Sequence, residues 1–154
     1  MSITAWRIVK KKHWASAFTG EGARLFGGRW NSKAIGIIYT SASVSLAILE
    51  ILVHLKTHQI LEAYWLGEIA FDEALVEVLP ASKLPANWRK DPAPASLRIL
   101  GDEWVLSDSS VVLRVPSAII DSEWNYLLNP AHPDFAKCVP KKAKPFRFDS
   151  RLVK

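Results

Sequence analysis

Ile35-Gly36-Ile37-Ile38-Tyr39-Thr40-Ser41-Ala42-Ser43-Val44-Ser45-Leu46-Ala47-Ile48-Leu49-Glu50 is the stretch on which the fold turns. Ile35 to Thr40 reads as a short apolar strand ending in Tyr39. Ser41 or Ser43 then caps a helix, because a serine oxygen satisfies one of the free N–H groups of its first turn. That helix is expected from about Ser43 to His58, and it is apolar on nearly every face, which predicts burial. Glu50 breaks the pattern. A buried carboxylate without partners is costly, so Glu50 must meet a cation or hydrogen-bond donors, or line a cavity. A structural ion pair and a catalytic carboxylate both satisfy that demand, and ionisable groups in such places often mark functional sites.

Outward from this strand and helix, Ile3 to Val9 reads as a first strand. Lys10 to Gly28 reads as a long irregular segment, of the kind that is usually functional or disordered. Tyr64 to Phe71 and Leu75 to Leu79 look like strands joined by the turn Asp72-Glu73, and Pro80 to Pro94 is a Pro-rich connection. Ala95 to Leu106 suits a helix. Ser110 to Pro116 suits a strand, with Val111, Val112, Leu113 and Val115 favouring a pleated surface. From Asn129 onward the chain is turn-rich and basic. The sum is one mixed α+β domain over residues 1–154 with a largely antiparallel sheet.

The 154 residues carry 20 Lys+Arg against 15 Asp+Glu, a formal charge of +5. The excess is uneven: Lys10, Lys11 and Lys12 lie near one end, and Lys137, Lys141, Lys142, Lys144, Arg147, Arg151 and Lys154 crowd the other. Such a surface suits anionic partners and also keeps a protein soluble. No apolar run approaches the roughly 20 residues of a membrane helix, and Met1 to Arg7 lacks the features of a secretion signal. A cytoplasmic protein with no membrane association is therefore expected. The one cysteine, Cys138, has no internal partner and none of the neighbours of a thiol nucleophile.

Gly27-Gly28-Arg29-Trp30-Asn31 is a second signal. Two glycines let the backbone approach a ligand closely, and Arg29 can grip a phosphate with two parallel hydrogen bonds. A glycine turn beside an exposed arginine is the plainer reading. The glycines match neither a P-loop nor G-x-G-x-x-G. Glu50, His54 and His58 are four apart, as adjacent metal ligands on a helix would be, but without the H-E-x-x-H order; no metal is expected. Ser117 lacks a G-x-S-x-G elbow, so a polar contact at a strand end suits it better than a nucleophile.

Taken in order, Trp6-Arg7-Ile8, Gly27-Gly28-Arg29-Trp30-Asn31, Tyr39-Thr40, Leu46-Ala47-Ile48-Leu49-Glu50, Val115-Pro116-Ser117 and Asn125-Tyr126-Leu127-Leu128-Asn129-Pro130 resemble the RES domain, a family named for its Arg, Glu and Ser. The resemblance runs over nearly the whole chain. It implies an ADP-ribosyltransferase-like fold of the diphtheria-toxin type, a split mixed sheet with flanking helices around a cleft for NAD. It further implies the toxin of a toxin–antitoxin pair that cleaves the nicotinamide–ribose bond, with an Xre-like helix-turn-helix antitoxin as partner and nucleic acid reached only through that antitoxin. Water, phosphate or a target protein would be the acceptor. By matching position, Arg29, Tyr39 and Glu50 form the catalytic set, with Arg7, Ser117 and Asn125 completing the NAD pocket. NAD is consumed as a substrate, so no resident cofactor is implied. A non-enzymatic basic module that binds nucleic acid is the competing reading, resting only on the lysines and aromatics, with no reader motif.

Overall fold

The computed structural model describes residues 1–152; Lys154 of the basic tail lies outside them. Eight strands form one sheet in the order β4-β5-β6-β2-β1-β3-β7, with β8 also pairing β3. They are β1 Ser2–Lys10, β2 Ile38–Ser41, β3 Tyr64–Asp72, β4 Val76–Val78, β5 Val112–Pro116, β6 Trp124–Leu128, β7 Val139–Pro140 and β8 Lys144–Phe146. Three helices flank them: α1 Glu21–Phe26, α2 Val44–Leu52 and α3 Ala95–Ser107.

The sheet is split. β1 pairs with β3 along its whole length, from Ser2↔Asp72 to Lys10↔Tyr64, and β2 pairs with β6 from Ile38↔Leu128 to Ser41↔Asn125. Between β1 and β2, by contrast, only Trp6↔Ser41 is in register. One core lies between the half-sheets and holds Ala5, Ile38, Ile69, Phe71, Val112 and Leu128. A second packs α3 against the β5–β6 half through Leu97, Trp104, Leu113 and Leu127. A third seats α2 on β1 and β3 through Ala47, Ile8, Tyr64 and Leu66.

Several expectations change. Asp72 ends β3 and the turn begins at Glu73. Glu73–Leu75 is a 3-10 turn that carries the chain around a corner, so β4 leaves β3 and pairs in parallel with β5 at the far end of the sheet order. Among the described residues this is the one parallel pair in an otherwise antiparallel sheet. The segment from Lys10 to Gly28 is ordered, with a 3-10 turn at Lys11–Ser16 followed by α1. Trp14 anchors it by stacking on Trp65, with ring centroids 5.9 Å apart, and by lying over Gly67, where a Cβ would come within 2.5 Å of its ring. Residues 124–128 form the central strand β6, and the basic tail adds β7 and β8 to the β3 edge.

Helix α2 starts as expected, with Ser43 Oγ accepting from the Leu46 N–H at 3.1 Å. It stops at Leu52 rather than His58. The N–H groups of His54 and Leu55 bond three residues back, to Ile51 and Leu52, and a separate 3-10 turn begins at Thr57. Burial is one-sided: Leu46 and Ala47 are enclosed, while Leu49 and Val53 are 38% and 61% exposed. Without helix beyond Leu52, His54 and His58 do not share a stripe with Glu50. Among the described residues no cluster of His, Cys, Asp or Glu could hold a metal ion, and no helix is long and apolar enough to cross a membrane. Cys138 is buried, and burial pushes its thiol up to about 11, which suppresses the thiolate a nucleophile needs.

Gly101 lets α3 approach the Gly28–Ser32 loop. A Cβ there would lie 1.7 Å from the Trp30 carbonyl oxygen, whereas one on Gly22 in α1 would meet nothing within 4 Å. Helix propensity alone predicts that alanine stabilises both sites by up to ~1 kcal/mol. Instead, Gly101→Ala should cost on the order of 3 kcal/mol from the clash and lower Tm by roughly 6–12 °C. Gly22→Ala should hold or raise Tm, and thermal melting of the pair checks both signs.

Candidate active-site cleft

A cleft of about 1410 Å³ opens beside the split and is lined by residues of β1, β2, α1, α2, the Gly28–Ser32 loop and the Pro-rich segment. Glu50 reaches it from the last turn of α2 and is half-buried. Its Oε1 accepts two hydrogen bonds, from Ser117 Oγ and from Asn125 Nδ2, each at 2.7 Å. Its Oε2 has no hydrogen-bond partner, and no cation pairs with it, among the described residues. The demand raised by a carboxylate in an apolar helix is thus met by neutral donors and by the cleft, not by an ion pair. Neutral donors hold the carboxylate's direction without cancelling its charge.

Arg7 stands on β1 where the sheet divides. Its NH1 donates to the Tyr39 backbone oxygen at 3.0 Å, bridging the split with a side chain where a ladder hydrogen bond would otherwise run. Its Nε is enclosed and has no partner. Among the described residues no carboxylate pairs with it, and burial lowers its basicity to about 10. It remains charged at neutral pH, a cation facing a cleft with no counter-charge among the described residues.

Tyr39 serves differently from the expected ligand contact. Its hydroxyl donates to Asn31 Oδ1 and accepts from the Trp30 N–H at 3.0 Å. Burial raises its pKa well above the usual tyrosine range, so it stays a neutral donor. Asn31, fully buried, passes the restraint on through Nδ2 to the carbonyls of Ala23 at 2.8 Å and Ile35 at 2.9 Å. Gly28 is needed here, because a Cβ would sit 2.7 Å from the Tyr39 hydroxyl and 2.8 Å from Asn31 Oδ1. Its close approach is to these side chains. Gly27, at φ +73°, closes α1 in a backbone region that favours glycine. Arg29 NH1 donates to the carbonyls of Trp88 at 3.1 Å and Lys90 at 3.0 Å, which ties the glycine loop to the Pro-rich segment. Arg29 therefore lines the cleft with one nitrogen engaged by protein.

The family model for the RES domain matches residues 4–149. The chain belongs to the RES family. It is 43% identical over 148 residues to "Toxin Res" of Yersinia enterocolitica, covering 96% of this chain and 97% of that one. It is 35% identical over 159 residues to "Prs ADP-ribosylating toxin" of a Sphingobium species, across 100% and 99% of the two chains. A chain in the crystal structure of the M. tuberculosis MbcT–MbcA toxin–antitoxin complex shares the fold, with a TM-score of 0.77 at 18% identity, over 96% of this chain and 85% of that one. This RES chain adopts the expected α+β architecture with a split mixed sheet, and shares that fold with the chain of the toxin–antitoxin complex.

Of the six residues singled out from sequence, Arg7, Arg29, Tyr39, Glu50 and Asn125 line one cleft. Ser117 differs. It is fully buried, its Oγ accepts from the N–H groups of Ile119 and Ile120 at 3.1 and 3.2 Å, and its proton goes to Glu50. A serine so enclosed does not reach a ligand directly; it holds the carboxylate. Asn125 is likewise turned toward Glu50. Sequence reasoning assigned no role to Asn31, to Asp102, whose Oδ1 accepts from the Ser32 N–H at 2.8 Å, or to Arg98 at the cleft wall. Asn31 stood in the quoted glycine motif, but nothing in that motif marks an asparagine whose side chain bonds the carbonyls of Ala23, Ser32 and Ile35.

A cation such as Arg7, with no carboxylate partner among the described residues, stabilises an anion more than it stabilises the empty protein. Arg7→Met should therefore melt within a few degrees of the parent or above it. ADP-ribose at ~100 times its Kd should stabilise the parent by about 2.7 kcal/mol, raising Tm by roughly 5–10 °C, and should leave Arg7→Met unshifted. Thermal melting with and without ADP-ribose checks both halves.

Proposed function

We propose that this RES protein is the toxin of a toxin–antitoxin pair and that it cleaves the nicotinamide–ribose bond of NAD in the cleft beside the split. The observation that carries the reading is the Glu50 carboxylate, held through Oε1 by Ser117 and Asn125 and left open at Oε2, in a cleft that also holds Arg7 and Arg29, neither of which has a carboxylate partner among the described residues. Cleavage of the C–N glycosidic bond releases neutral nicotinamide and leaves a ribose with oxocarbenium character. A fixed carboxylate lowers the energy of that developing positive charge, because its orientation needs no rearrangement as the bond breaks. Arg7 and Arg29 supply positive charge for the diphosphate, each with guanidinium nitrogens beyond those used for backbone carbonyls. Tyr39 contributes its ring and its hold on the glycine loop.

The names of the relatives favour a toxin, and the complex containing the structural neighbour favours an antitoxin partner. An Xre-like antitoxin that occludes the cleft fits the exposed apolar residues Leu25, Phe26 and Val53 at its lining. Transfer of ADP-ribose to a protein is the second reading, supported by the name of the Sphingobium relative. Incubation with NAD in the presence and absence of phosphate, followed by identification of the products, separates hydrolysis, phosphorolysis and transfer to protein. Expression of the toxin alone is expected to deplete cellular NAD and arrest growth, and co-expression of the antitoxin to restore both.

Glu50→Gln keeps an oxygen for Ser117 and Asn125 while removing the charge. It should fold normally, bind NAD and release nicotinamide at least ~100-fold more slowly, a loss of about 2.7 kcal/mol of transition-state stabilisation. A variant that melts early yet turns over NAD at the parent rate would defeat this assignment. Nicotinamide release and thermal melting on one preparation distinguish the outcomes.

A further inference from the structure

Ser41 stands at the joint of the split sheet. It faces Trp6 of β1 on one side, as the lone register pair between the half-sheets, and Asn125 of β6 on the other. Its side chain is nearly enclosed, at 4% exposure, and its Oγ donates to Asn125 Oδ1 at 2.8 Å. Asn125 then donates from Nδ2 to Glu50 Oε1. The polarity of this chain runs one way. A carboxylate only accepts, so it must face the Asn125 NH2 group; the Asn125 oxygen is then turned back toward β2 and needs a donor there. The Ser41 hydroxyl is that donor.

We infer that Ser41 is a positioning residue for Glu50, acting through Asn125: it locks the amide so that Oε1 is held and Oε2 faces the cleft. The inference deepens the reading of Glu50 as the residue opposite the ribose and rests on that reading for its catalytic consequence. Without the Ser41 hydroxyl, the Asn125 oxygen loses its donor and the amide is free to rotate. Ser117 still holds Oε1 from the other side, so the carboxylate is loosened rather than lost. Ser41 itself bears no charge, and its effect must therefore pass through Asn125 and vanish when Asn125 is removed.

Two measurements on Ser41→Ala test this. The first needs no turnover: exchange of the Asn125 side-chain NH2 protons by NMR, assigned by their absence in Asn125→Ala. Exchange at least ~10-fold faster in Ser41→Ala than in the parent is expected, and an unchanged rate overturns the relay. The second is a double-mutant cycle on nicotinamide release. Ser41→Ala should lower kcat by about tenfold in the parent while moving KM for NAD less than about twofold, and should change kcat less than about twofold in the Asn125→Ala background. Equal losses in both backgrounds, or no loss in the parent, would show that Ser41 does not act through Asn125 on the reaction. If the parent protein releases no nicotinamide, the proposed reaction fails, and the amide exchange still decides whether the relay exists.

Discussion

The constraint on which the molecule depends is the parting of β1 from β2. Adjacent strands normally satisfy each other's backbone groups along their length, but here the ladder closes at Trp6↔Ser41 alone. Arg7 takes up part of the deficit by donating to the Tyr39 carbonyl. A guanidinium in place of a backbone N–H spans the joint and puts a positive charge in the gap. The feature that opens the cleft therefore also sets part of its electrostatics.

The walls of the cleft are irregular segments, and charged side chains fasten them to backbone carbonyls. Arg29 bonds the carbonyls of Trp88 and Lys90 and Arg98 that of Ala93 at 2.9 Å, while Arg89 bonds those of Ala118 at 3.0 Å and Ile119 at 3.2 Å and also pairs with Asp121 at 3.2 Å. Carbonyls are good partners for a guanidinium that must stay available, because they direct it without cancelling its charge as a carboxylate would. The contrast is visible in Arg24, which is exposed and fully engaged by Glu21. Beneath the glycine loop, further short-range contacts complete the support. Tyr39 and Asn31 hold it from below, Asp102 receives its Ser32 N–H, and Gly101 leaves room for its Trp30 carbonyl. Glu50 is treated the same way by Ser117 and Asn125. Directed neutral hydrogen bonds thus preserve both signs of charge in one cleft, the electrostatic preorganisation that charge-developing reactions reward.

Local sequence determined a good deal. The strands β1 and β3, a serine cap at Ser41 or Ser43 and the valine run of β5 were readable because they depend on residues close in the chain, and Glu50 stood out because a carboxylate interrupts an apolar helix. Motif order brought Arg7, Arg29, Tyr39, Glu50, Ser117 and Asn125 forward as one set. The tertiary structure alone decided what each does. Whether Glu50 met a cation or neutral donors depended on Ser117 and Asn125, 67 and 75 residues away. That Ser117 supports a carboxylate, that Tyr39 spends its hydroxyl on Asn31, and that Ser41 bonds Asn125 while Ser43 caps the helix all follow from strand register. So does the placement of β4, which leaves its sequence neighbour β3 to pair with β5. Propensity and periodicity are properties of a few adjacent residues, whereas a hydrogen bond's partner is set by which distant strands lie side by side, and no local pattern carries that information.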